Sequence, residues 1–587
     1  MRNWILGVTA LITSAGCGQS APAPQQKDHA AELSEIADSY LDAMLRIQPF
    51  AVVYAGAGDV VREDLAAMED NSPAALARFQ RTEDQLAARL SSVDVTALSA
   101  RADQVLYETL KEAFQSSREQ RVCRSNLWSV NHMFGWQSAF PQVADAQPVA
   151  TPVERAMALA RWRRLPAFLD QERANLEAGL AAGYSVPKRV VARVVAQLDA
   201  IADAPPEESP FLSFASKAED DEAFRDAIKT LAADDIAPAV ASFRDFLRDE
   251  YMPRARDALS ISAIPNGEQC YEAMLRAYHT APIGAKATFE RGQRAVAANR
   301  EDVVQRGEAM FGLTDFGAIL QATKDDPANR FRSEQDLIDF TRALAPVARE
   351  KVAPFFSKLP AQDLVVEPHP DFLKGTGQPS HYEPRPAAEG AASYRINTDD
   401  WRTQTKGEAE IVLVHEGWPG HHLQIAAASA IGGLHPIMRL LGSTAYIEGW
   451  ARYAEGLAEE AGLYESGYGA ISRRAWPARG MVVDPGLHIY GWTNEQAAAF
   501  LIESGRFDEK TAEAALDRIA VIPGQLTAYD TGGLEIAALR AEAVERLGAR
   551  FDVQSFHDRV LENGAVPLGA LREHVEQWIA QEEAKGG

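Results

Sequence analysis

VLVHEGWPGHHLQ, residues 412–424, puts His415 and Glu416 side by side after an apolar run and then breaks the pattern it begins. In the usual metal-binding helix a second histidine follows four residues after the first, so that both imidazoles lie on one face and reach one ion. Here the fourth position is Pro419, and the next histidines are His421 and His422. Residues six apart on a straight helix are separated by about 9 Å along the axis and cannot share a metal. Pro419, however, has no N–H to return to the preceding turn, and Gly420 frees the next torsions. A bulge or break across Trp418–Gly420 is therefore expected, with His421 in the place of the second ligand and His422 turned toward substrate. Which of the two adjacent histidines meets the metal stays open at this level.

The cluster is dense: three of the 12 histidines fall within residues 415–422. Buried imidazoles need partners, and a metal would supply them. A catalytic site needs a third protein ligand with one position left open. Glu448, in YIEGWARYAE, is the best candidate, one helix and a turn beyond His421; Glu455 and Glu459 share its helical face as rivals, or as solvated or supporting charges.

Working outward, the texture on both sides is helical. Leu33, Ile36, Ala37, Tyr40, Leu41, Met44 and Leu45 recur at three- and four-residue spacings, as do Leu180, Val191, Val195 and Leu198. The aromatic stretch 123–140, with Trp128, His132, Phe134 and Trp136, reads as core or interface. Between Leu359 and Gly390, six prolines with Gly375 and Gly377 forbid a helix and point to a long loop or hairpin. SYRINTDDW follows in strand-like alternation, the one comfortable strand, just before the motif. The expectation is a mainly α protein, large and two-lobed, with a small β element next to an active-site cleft: an N-terminal helical lobe over 31–280 and a catalytic lobe over 281–587.

Composition narrows the partners. The 587 residues carry 59 Lys and Arg against 83 Asp and Glu, a net charge of −24, which repels phosphate backbones and argues against nucleic acid. MRNWILGVTALITSAGCGQS has the charged start, short apolar core and small residues of an export signal, and its ending resembles a lipoprotein signal with Cys17 as the lipidated residue. GQSAPAPQQKDHA, over 18–30, reads as a tether. That places the protein in the periplasm, touching the membrane only through an N-terminal lipid. The two remaining cysteines, Cys123 and Cys270, are expected to pair in an oxidising compartment.

HEGWPGHHLQ, EGWARYAE, VVDPGLHIYGWT, IPGQLTAYDTGGLEIAALR and FHDRVLENGAVPLGALREHV, in that order, resemble the motifs of the bacterial family called domain of unknown function 885, as do ANLEAGLAAGYSVPKRVV and SYRINTDD. That family looks like a divergent branch of zinc metallopeptidases with a glutamate as third ligand, and several members are exported lipoproteins. The resemblance implies one zinc ion held by His415, His421 and Glu448, with Glu416 as catalytic base, and it favours His421 over His422. Similar enzymes use a His and a Tyr to donate to the oxyanion, a role that falls here to His488 and Tyr529, with Asp484 orienting an imidazole.

The expected activity is peptide hydrolysis in the cell envelope. An extended peptide would pair with the SYRINTDD strand, with Asn397 facing the site, and Arg479 or Arg540 would hold a substrate carboxylate bidentately. The rivals are a zinc amidohydrolase acting on a non-peptide amide and a lipoprotein that keeps the fold without turnover. Oligomeric state is not legible.

Overall fold

The computed structural model describes residues 28–205, 208–370, 378–386 and 390–585. Cys17 and nearly all of the tether therefore lie outside the described residues; the first helix, His29–Ile47, begins inside the expected tether, capped by Asp28. The protein is mainly α, with one three-stranded sheet. Apolar side chains gather in several clusters. The largest spans Phe50 to Ala285 and takes in Val521 and Ile522, and the next runs from Ala348 to Ile579 with Val105 and Ala281. Trp128 and Trp136 are buried in the first, whereas Phe134 is exposed at the rim of a cavity of about 540 Å³ that Glu69 and Glu172 also line. Cys123 and Cys270, both fully buried in that cluster, form a disulfide.

The proline-rich segment holds more order than its composition predicts. Two strands lie within it, β1 (Leu364–Pro368) and β2 (His381–Glu383), and both join β3 (Ala392–Ile396) in the order β1-β3-β2. Pro368 closes β1, and β2 is only three residues long between Pro379 and Pro384, so the prolines fall at strand ends, where a missing donor costs little. β3 runs parallel to β1 and antiparallel to β2, with Tyr394 opposite both Val366 and Tyr382. Arg395 ties the three together through Glu367 and Glu383. The expectation of a peptide docking on SYRINTDD is thereby corrected: β3 is central and its edges are taken.

Below the sheet the motif itself forms two helices. The first, Lys406–Glu416, starts at a Thr405–Glu408 capping box, and the second, His421–Ser429, starts at the histidine. The helix that carries Glu448, Thr444–Glu460, is capped by Ser443. It crosses Gln525–Leu547 at glycine contacts so close that a Cβ on Gly532 would lie 1.7 Å from the Ala445 carbonyl oxygen, and one on Gly449 2.5 Å from Gly532 Cα. Any side chain there would push the helices apart and move Glu448 with them. Among the described residues no helix is long and apolar enough to cross a membrane.

Candidate metal centre

The break in the motif is a full interruption rather than a bulge inside one helix. The first helix stops at Glu416, the Trp418–Pro419 peptide is cis, and Gly420 folds back so that its N–H donates to the Val414 carbonyl at 3.0 Å. A Cβ at position 420 would meet the His415 carbonyl oxygen at 2.0 Å, so only glycine fits. Trp450 donates to the Pro419 carbonyl at 2.9 Å, so the helix that bears Glu448 also pins the break. The second helix then starts with His421 facing the first histidine.

This brings together His415, His421 and Glu448. Glu448 Oε2 stands 3.4 Å from His415 Nε2 and 3.4 Å from His421 Nε2, and all three candidate ligand atoms lie within 4.8 Å of one another. Ligands about 2.0–2.1 Å from a tetrahedral cation stand about 3.3–3.4 Å apart, so the two glutamate–histidine separations match a single small ion. Glu448 Oε2 is also buried and meets no donor in hydrogen-bond geometry, an orphaned acceptor that a cation would satisfy. The side chains of His415 and Glu448 keep 13% and 19% exposure, which leaves one side of the centre reachable from solvent.

Electrostatics agree. Burial pushes the Glu448 carboxyl up, but the two imidazoles outweigh it and hold the group well below the carboxylate range. Burial pulls His415 down, but the surrounding carboxylates of Glu448, Glu455 and Glu416 lift it to about 9. The carboxylates thus favour positive charge at the centre. Glu455, a rival ligand at first sight, accepts from His415 Nδ1 at 3.0 Å and orients the ring from behind. Arg452 donates to both Glu455 oxygens and lies 3.3 Å from Asp530. Glu459 is spent on Arg306, Arg473 and Arg474. By contrast Nδ1 of His421 is buried without a partner.

Glu416 Oε2 accepts the Tyr382 N–H of β2 at 2.8 Å, which aims the carboxylate between the sheet and the histidines. Tyr382 is itself braced by His422, whose Nδ1 lies 3.3 Å from the tyrosine hydroxyl and whose Nε2 lies 3.1 Å from the Gln362 carbonyl oxygen. The His422 ring is fully buried against Trp418, and burial pulls it down to about 4. A substrate-facing role for His422 is therefore corrected to a bracing one. Tyr529 stacks on His415, with ring centroids 6.1 Å apart, and accepts from Arg518 at 3.3 Å, which leaves its own O–H free to donate.

The other sequence-predicted residues lie elsewhere in function. His488 accepts from the Ile261 N–H at 3.1 Å and pairs with the Ile519 carbonyl at 3.1 Å, so both ring nitrogens are occupied and neither can serve an oxyanion. Asp484 accepts from the Tyr271 hydroxyl and the Gly524 N–H, bracing a helix start rather than an imidazole. Asn397 uses its side chain on Gln378 and Asp399. Arg479 is buried, bonded to the Ala475 and Phe500 carbonyls and to Glu503, and Arg540 is paired with Glu460 and Tyr453. In each case the local partners satisfy the group that substrate was expected to meet. Sequence reasoning gave no role to Tyr382, Arg452, Asp530 or Arg518; of these only Arg452, one turn beyond Glu448 on the same face, carried a signal in its spacing.

With this geometry in view, one comparison is decisive. The family model described as "Bacterial protein of unknown function (DUF885)" matches residues 49–575. The chain belongs to this family. Its fold is shared with a solved candidate lipoprotein from Colwellia psychrerythraea, at TM-score 0.85 and 22% identity over 94% of this chain and 100% of that one. A candidate lipoprotein of unknown function from Shewanella oneidensis is similar at TM-score 0.74 and 19% identity, over 92% and 99%. No curated protein matches the DUF885 chain. At these identities the likeness speaks for the fold alone.

Proposed function

We propose that this member of the DUF885 family is a zinc-dependent peptidase of the cell envelope, with its active centre in a cleft between two helical lobes. The observation that carries the reading is Glu416: a carboxylate adjacent in sequence to a candidate ligand, held by the β2 backbone beside three atoms spaced for one cation. A binding module has no use for such a base. Zinc, when bound by His415, His421 and Glu448, supplies a Lewis acid that polarises a carbonyl and makes water acidic near neutral pH.

Everything else falls to the chain's own side chains. Glu416 takes the proton of the attacking water and returns it to the leaving amine. The Tyr529 O–H donates to the oxygen that becomes negative. His422, through Tyr382, keeps Glu416 aimed, and Glu455, through His415 Nδ1, fixes the imidazole orientation. An extended peptide would lie along β2, an outer strand of the sheet whose Tyr382 N–H holds Glu416. Export as a lipoprotein through Cys17 suits the same reading, as the kinship with two candidate lipoproteins does.

Glu416→Gln is the test. Hydrolysis of a peptide library, read by mass spectrometry, falls to background while the zinc content stays near one per chain. Activity that survives the substitution shows that Glu416 is not the base.

A further inference from the structure

Acidic residues outnumber basic ones in this chain, and the arginines around the centre show it. Arg452 pairs with Glu455 and Asp530, Arg473 and Arg474 with Glu459, Arg479 with Glu503 and Arg540 with Glu460. Arg518 is different. From the helix Glu509–Val521 its Nη2 donates to Gln525 Oε1 at 2.7 Å and to the Tyr529 hydroxyl oxygen at 3.3 Å, both uncharged acceptors. Its Nε is buried without any acceptor, and among the described residues it makes no ion pair. Asp484 feels its charge, but that carboxylate is fully buried and held by Tyr271 and Gly524. Arg506 likewise makes no ion pair among the described residues and acts on Tyr529 electrostatically, but its guanidinium lies over the Trp476 ring and makes no hydrogen bond to the tyrosine, so of the two only Arg518 is tied to the residue that stacks on His415.

A guanidinium with unused donors in an acidic protein is suited to an anion from outside, and its planar fork matches a carboxylate. Its place defines which one. Tyr529 stacks on His415, so Arg518 stands one tyrosine ring and one hydrogen bond from the candidate metal centre. A peptide advances about 3.3–3.6 Å per residue, so a carboxylate held there lies one or two residues beyond a carbonyl at the centre.

We propose that Arg518 recognises the free C-terminal carboxylate of a short peptide, so that the centre removes the last one or two residues instead of cutting within a chain. The inference rests on the peptidase reading above and adds the substrate class. Arg479 and Arg540, the sequence candidates for this task, are excluded from it by their own ion pairs.

The experiment uses zinc-loaded full-length protein, a tripeptide library with free carboxyl ends and the same library as C-terminal amides. Free acids are expected to be hydrolysed with kcat/KM about ten- to hundredfold above the amides, the range for hydrogen bonds to a charged group. Arg518→Gln lowers acid turnover by about that factor more than amide turnover, which shares only the loss of the Arg518–Tyr529 hydrogen bond; Arg518→Lys restores part of the acid turnover, which also guards against a misfolded variant. The second readout needs no turnover: the melting temperature of Glu416→Gln rises with the acid library and not with the amides, and adding Arg518→Gln removes that rise. Equal hydrolysis of acids and amides, or an equal fall of both in Arg518→Gln, overturns the inference and leaves the peptidase reading standing. Selective stabilisation by the acids without hydrolysis by the wild type keeps the carboxylate site and overturns the peptidase reading. Neither hydrolysis nor stabilisation with either library overturns both.

Discussion

Two histidines at helix ends, the largely buried His415 and the fully buried His488, each have acids nearby and have opposite chemistry. His415 faces three carboxylates, Glu448, Glu455 and Glu416, and is lifted to about 9. His488 is enclosed by backbone: an N–H donates to one nitrogen, a carbonyl receives from the other, and burial pulls the ring down to about 3. The nearby Asp484 is pushed up to about 7 by burial instead of being held down by a cation. The lesson is that burial and a neighbouring acid do not make a site. An imidazole becomes a candidate ligand when its outward nitrogen meets an acceptor that nothing else satisfies, as Glu448 Oε2 does here.

The sharpest way to break the comparison is to remove a ligand. His421→Ala or Glu448→Ala takes bound zinc, measured by elemental analysis after dialysis, from near one per chain to none; His422→Ala keeps it and weakens hydrolysis by misplacing Tyr382 and Glu416. Zinc retained in His421→Ala and lost in His422→Ala reverses the assignment.

Next is His488→Ala, which leaves the Ile261 N–H unpaired and opens a void in the core. It costs about 2–4 kcal/mol in chemical denaturation without changing zinc stoichiometry. A change in stoichiometry at native pH erases the distinction between the two histidines.

Glu455→Gln, which keeps shape and removes charge behind His415, weakens zinc binding about 10–100-fold in a chelator competition while the fold persists.

The smallest effect is in the pH dependence of metal-free protein. His415 is raised from 6.5 to about 9, so its contribution to stability is complete below 6.5 and is lost as pH climbs through 9. His488 is depressed from 6.5 to about 3, so its contribution is complete above 6.5 and is lost as pH falls toward 3. Melting temperatures of His415→Ala and His488→Ala from pH 3 to 10 should flatten the alkaline and the acid limb respectively.

Some of this was written in local sequence and some was not. Pro419 and Gly420 announced a break because their backbone chemistry is local: one lacks a donor, the other lacks a Cβ, and the helix must stop wherever they stand. The strands β1 and β2 stayed hidden because a three-residue strand has no period, and their partner β3 comes after both in the chain. The rank of Glu448 over Glu455 was readable only weakly, since both lie on one helical face; the crossing at Gly449 and Gly532 decides which of them points at His421.

The arginines mark the limit most clearly. Their number and charge are properties of the chain, but whether an arginine is spent depends on which carboxylate the fold carries to it. Sequence by itself determined the helical class, the interrupted motif, the glutamate beside its first histidine and the even pair of cysteines. Tertiary structure alone decided that His422 braces, that His488, Arg479 and Arg540 are satisfied internally and that Arg518, among the described residues, is left without a carboxylate to pair with. Torsional preference and hydrogen-bonding capacity act over a few residues, whereas satisfaction of a buried polar group is settled by neighbours from tens of residues away, as at Arg479 and His422, to more than two hundred, as at His488.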